Sequence, residues 1–120
     1  MGDYKDLIVF QKAYTLAMDI FEESKRFPAE EKYSLIDQIR RSSRSVCTNL
    51  VEAYRRRKYR PYFLSKLTDS ETENAETQVW LDFSKDCKYL AVEKYNDFTF
   101  GNDEVGKMVW NMIQNPDKFT

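Results

Sequence analysis

Eight basic residues fall in the stretch RRSSRSVCTNLVEAYRRRKYR: Arg40, Arg41, Arg44, Arg55, Arg56, Arg57, Lys58 and Arg60. Glu52 is the one acid among them, so the stretch carries +7 in a chain of net charge −1, and everything outside it sums to −8. Guanidinium groups at this density suit phosphate or carboxylate oxygens, because their planar forks donate two parallel hydrogen bonds. Tyr54, Tyr59 and Tyr62 lie beside them and offer rings on which unpaired bases can stack. These eight residues are the candidate nucleic-acid-binding set. Two other uses compete with it. The arginines can pair with Asp69, Glu71, Glu73 and Glu76 further along the chain, where an exposed pair contributes about 0–1 kcal/mol, or they can meet an acidic protein partner.

Catalytic chemistry finds little to work with. The chain contains no histidine, which removes the commonest general base and the commonest metal ligand together. Acids are plentiful at Asp69, Glu71, Glu73, Glu76, Asp82 and Asp86, but a dinuclear metal site in a helical bundle calls for Glu-x-x-His pairs. No phosphate-binding glycine loop and no nucleophile elbow is present. Cys47 and Cys87 are forty positions apart and read as two small buried residues rather than a disulfide or metal pair. The expectation is a protein that is not an enzyme, with no catalytic residue, metal or cofactor and no small-molecule substrate. MGDYKDLIVF has neither the charge pattern of a signal peptide nor a serine or threonine at position 6 for acylation. With no long apolar run, the expected location is cytoplasmic, with no membrane partner.

What positions the arginines is helical periodicity. Leu35, Ile39, Val46, Leu50 and Ala53 fall within an arc of about 60° at helical spacing. Arg41, Arg44 and Arg55 lie roughly opposite, so one helix carries a core stripe and a cationic stripe. Glycine and proline are scarce, three each, which favours long helices. The first is expected over 6–27, with Val9, Phe10, Ala13, Tyr14, Leu16, Ala17, Ile20, Phe21 and Phe27 on a broad apolar face. The second is expected over 29–57, with Pro28 as a possible first residue. The third runs over 61–89 after the break at Tyr59-Arg60-Pro61, and the fourth reaches Gln114 with Phe98, Val105, Val109, Met112 and Ile113 inward. Gly101 and Gly106 weaken that last helix.

The stripe of helix three is Phe63, Leu67, Ser70, Asn74, Gln78 and Leu81, polar at its middle. Ser42 and Ser43 are expected to face it and to hydrogen-bond Asn74 or Gln78; a small-molecule site there is the alternative. Val79, Trp80, Phe83 and Cys87 form a second apolar face on the same helix. Self-association is the simplest cover for that face, which makes Val79, Trp80 and Phe83 the candidate oligomer interface. Residues 1–120 thus read as one all-α domain, an antiparallel up-down-up-down four-helix bundle. Its function is either RNA or other nucleic-acid binding through helix two, or a structural and assembly role without nucleic acid.

Several motifs carry a family resemblance: Phe10-Gln11-Lys12-Ala13, Phe27-Pro28 with Glu30-Glu31, and Gln38-Ile39-Arg40-Arg41-Ser42. Ser45 to Ala53, Glu76 to Leu81 and Asn115-Pro116-Asp117-Lys118-Phe119 extend it. Over nearly the whole chain it resembles the four-helix-bundle proteins of 23S rRNA intervening sequences. That resemblance implies a small bacterial cytosolic protein that assembles as a homopentamer, related to the accessory variability protein of diversity-generating retroelements, which works with RNA and a reverse transcriptase. Cys47 stands where such proteins commonly have proline, and Ala53 where they have glycine, so helix two is expected to run straighter here.

Overall fold

The computed structural model describes residues 3–120; the Met1-Gly2 start of the acylation motif lies outside them. Among the described residues the elements are four long helices, α1 (Ile8–Ser24), α2 (Leu35–Arg55), α3 (Arg60–Asp86) and α4 (Val92–Gln114), with single 3-10 turns at Tyr4–Asp6, Ala29–Glu31 and Pro116–Lys118. Contacts run α1 to α2, α2 to α3, α3 to α4 and back from α1 to α4. Hydrogen bonds fix the direction of each neighbour. Ser42 and Val46 of α2 meet Thr77 and Ser70 of α3, while Asn74, Gln78 and Asp82 of α3 meet Asn102, Thr99 and Tyr95 of α4. As one number rises the other falls, so the neighbours are antiparallel. The bundle measures 44 × 25 × 20 Å.

The core stripe of α2 is as the periodicity predicts: Leu35, Ile39, Val46, Leu50 and Ala53 are all buried. On α1 the inward set narrows to Val9, Ala13, Leu16, Ala17 and Ile20, and Tyr14 is exposed. Pro28 does not open α2. It is extended, at φ −59° and ψ 141°, and precedes a 3-10 turn. Glu31 explains the detour, because Ser34 Oγ donates to its Oε1 at 2.6 Å and Tyr89 OH to its Oε2 at 3.0 Å. The Ser34 bond, then the Tyr89 bond, hold the Glu31 carboxyl below its ordinary range, and the Glu31 bond raises the Tyr89 phenol. The turn also buries Phe27 with Leu35 and Ile36 beneath Trp80 and Tyr89. As a result α2 has 21 residues, about 30 Å of helix, rather than the longer rod expected over 29–57. It continues unbroken through Cys47 and Ala53. Burial pushes the Cys47 thiol up to about 11, which leaves it protonated and inert; Cys87, expected buried, is exposed at the end of α3.

The middle of the bundle is polar. Ser42 Oγ bonds Thr77 Oγ1 at 2.8 Å, not Asn74 or Gln78, and Ser43 Oγ turns back to Ile39 O at 2.8 Å. Thr77 therefore takes the buried place expected for Gln78, which is half-buried. Asn74 and Asn102 bond each other instead, through Asn74 Nδ2 to Asn102 Oδ1 at 2.8 Å and Asn102 Nδ2 to Asn74 O at 3.0 Å. The remaining cavity at this level is about 10 Å³, which leaves no room for a small-molecule site. Gly106 has a packing role: a Cβ there would meet Asn74 Oδ1 at 2.7 Å.

Candidate nucleic-acid interface

Because Leu35, Ile39, Val46 and Leu50 point inward, the residues between them on the opposite side of α2 must face solvent. Arg41, Arg44 and Arg55 do so, and Arg40 is half-buried at the edge of that face. Arg40 Nε donates to Ser24 Oγ at 2.8 Å, and its guanidinium lies 4.6 Å from the Phe21 ring centre. Arg44 approaches the same ring at 5.5 Å. Among the described residues Arg41 is the one member of this group with a carboxylate, Glu76, at 3.8 Å.

Arg55 and the remaining four lie where α2 turns into α3. Arg55 ends α2, with Arg56 to Lys58 in the connection and Arg60 opening α3. Pro61 is harmless in that first turn, where its missing N–H has no helical acceptor to lose. Arg60 pairs with Asp117. Arg57 Nη1 donates to Tyr54 O at 2.8 Å, and its guanidinium covers the Tyr54 ring at 4.0 Å. Arg56 covers Tyr62 at 4.8 Å. Arg55 and Lys58 are exposed.

Of the helix-three acids, Glu76 pairs with Arg41, while Asp69 pairs with Lys66. Arg40, Arg44, Arg55, Arg56 and Lys58 contact no carboxylate within ion-pair distance among the described residues. Of the tyrosines beside these cations, Tyr54 and Tyr62 carry Arg57 and Arg56 on their rings, while Tyr59 is exposed. Sequence reasoning missed Tyr33, which is 84% exposed and lines a groove of about 730 Å³ with Arg40, Arg41 and Arg44. Its place two residues before α2, off the helical stripe, hid it.

The second apolar face is partly used within the chain. Trp80 packs on both the Ile39–Leu81 and Leu35–Ile36 clusters and stacks on Phe83 at 5.9 Å. Val79 and Phe83 remain 47% and 53% exposed. Among the described residues no group of three or more Cys, Asp or Glu side chains converges as a metal site, and no helix is long and apolar enough to cross a membrane.

Residues 5–111 match the family model described as 23S rRNA-intervening sequence protein. The fold is similar to the 1.70 Å crystal structure of a protein with unknown function from the S23 ribosomal protein family of Bacteroides thetaiotaomicron VPI-5482. The two share 28% identity and a TM-score of 0.81, over 89% of this chain and 96% of that one. No curated protein matches the chain.

Proposed function

The chain belongs to the 23S rRNA-intervening sequence protein family, and on that premise we propose that it is a non-enzymatic helical-bundle protein that binds RNA through the outward side of α2 and the turn after it. The observation that carries this reading is the set of cations on that side without carboxylate partners among the described residues: Arg40, Arg44, Arg55, Arg56 and Lys58. Like charges held together without counterions raise a positive potential that a polyanion relieves. The acids that balance the chain lie mainly elsewhere, with ten acids against three bases over 69–104.

Fluorescence anisotropy with a structured RNA across a salt series tests it. Binding through Z phosphates makes log K fall linearly with log salt, with a slope of about −0.7Z to −0.9Z. Five free cations predict a slope of roughly −3 to −5. No binding at low salt, or binding indifferent to salt, rejects the reading.

A second reading is favoured by the exposed Phe83 and Val79: the face they form with Trp80 joins copies of the chain, and the protein serves as an assembly module. Phe83→Glu is the clean probe, because Trp80 also packs within its own subunit. Light scattering is expected to give a multiple of the 14.4 kDa chain mass for the wild type and a smaller species for the variant. A wild-type monomer rejects self-association.

A further inference from the structure

The groove beside the first turns of α2 differs in character from the rest of the cationic side. Two guanidinium groups, those of Arg40 and Arg44, approach one ring, Phe21, at 4.6 and 5.5 Å. Neither contacts a carboxylate among the described residues. Arg40 is further fixed by its bond to Ser24 Oγ at 2.8 Å. Two like charges gathered at one neutral ring, with no carboxylate counterion among the described residues, favour an anion between them, and Arg40, held by Ser24, has little side-chain freedom left to lose on binding. Phe21 is thus a positioning residue for both.

The same groove has a ring and hydroxyls. Tyr33, 84% exposed, lines it, and Lys32 Nζ adds a cation 5.3 Å from the Tyr33 ring centre. Ser45 and Thr48 close the far end, and Asp37 is the one acid along the wall. From Ile36 to Thr48 the groove follows about 18 Å of helix axis. A flat aromatic face, fixed guanidinium groups and hydroxyl donors in one channel are the three contacts that an unpaired nucleotide makes and a duplex cannot make together, since duplex bases are stacked inside.

We propose that this groove is a subsite for unpaired nucleotides of an RNA loop or single strand, with the base on Tyr33 and the phosphates on Arg40 and Arg44. The proposal rests on the RNA-binding reading and narrows it from polyanion attraction to recognition of looped RNA. Among the described residues Tyr33 pairs with no other aromatic ring, and at 84% exposure it buries little, so removing its ring leaves the bundle intact.

The test compares two RNAs of equal phosphate number, a hairpin with an unpaired loop and a fully paired duplex, against wild type, Tyr33→Ala and Tyr33→Phe. Wild type is expected to bind the hairpin at least about fivefold more tightly, the size of one base–ring stack. Tyr33→Ala abolishes that preference and Tyr33→Phe keeps it, with the salt slope the same in all three, because stacking releases no counterions. Equal affinity for hairpin and duplex, or a preference that survives Tyr33→Ala, overturns the subsite and leaves salt-dependent RNA binding standing. If neither RNA binds at low salt, the broader reading falls and this one with it.

Discussion

Gly106→Ala is expected to destabilise the protein by about 1–3 kcal/mol, the reverse of what the substitution does in an ordinary helix. Within a helix, alanine is favoured over glycine by about 1 kcal/mol, through backbone entropy in the unfolded chain. Here the added Cβ would lie 2.7 Å from Asn74 Oδ1. Asn74 cannot simply turn away. Its Nδ2 donates to both the carbonyl and the side-chain oxygen of Asn102, at 3.0 and 2.8 Å, and Asn102 returns a bond to Asn74 O at 3.0 Å. Both residues are buried, so each group left without a partner costs about 1–3 kcal/mol. That exceeds the propensity gain and lowers the melting temperature by roughly 5–15 °C. A double-mutant cycle with Asn74→Ala isolates the cause. With the carboxamide gone, Gly106→Ala should cost nothing or stabilise. If Gly106→Ala raises the melting temperature in the wild-type background, the close approach is not what placed glycine there.

The same pair of residues marks where sequence reading runs out. Periodicity places Ile39, Leu50, Phe63 and Val105 inside because burial of apolar area is nearly independent of the neighbour, so a helical projection suffices. Polar pairing depends on register between helices. A shift of a single residue on α3 decides whether Ser42 meets Thr77 or Gln78, and no property of either side chain alone settles it. Gly106 reads as a weak point in a helix until Asn74 is known to be opposite. Pro28 fails as a helix start for a similar reason. Its local geometry fits, but a contact 58 positions away, Tyr89 to Glu31, draws the chain into a turn first. On the candidate site, the outward direction of Arg41, Arg44 and Arg55 was legible. Which cations are already engaged was not, because the partners of Arg40, Arg41 and Arg60 come from α1, α3 and the carboxyl-terminal turn.

Those engagements choose the variants that test the cationic side most sharply. Reversing Arg44 and Arg55 together, Arg44→Glu with Arg55→Glu, is expected to weaken RNA binding about 100-fold and to reduce the salt slope by roughly two. Both residues face outward within about 20° of each other on α2, some 16 Å apart along the axis, and neither contacts a carboxylate among the described residues. A charge-assisted contact contributes about 1.5–3 kcal/mol, so two of them, lost and then made repulsive, reach two orders of magnitude even after screening. Arg40 is the poorer choice, because its bond to Ser24 and its place on Phe21 tie it to the fold. Arg60 is poorer because Asp117 already neutralises it. The folded state tolerates the pair: Arg44 gives up a cation–ring contact and Arg55 a favourable helix-end charge, each about 0.3–1 kcal/mol against a typical stability of about 5–15 kcal/mol. Lys12→Glu with Lys107→Glu makes the same change in net charge away from α2, where Glu104 and Asp103 now hold those lysines. If net charge alone governed attraction, the two double variants would lose affinity equally. Locating the effect on α2 requires the first to fall about 100-fold while the second changes by no more than a few-fold, and an equal loss in both would remove the assignment of that surface.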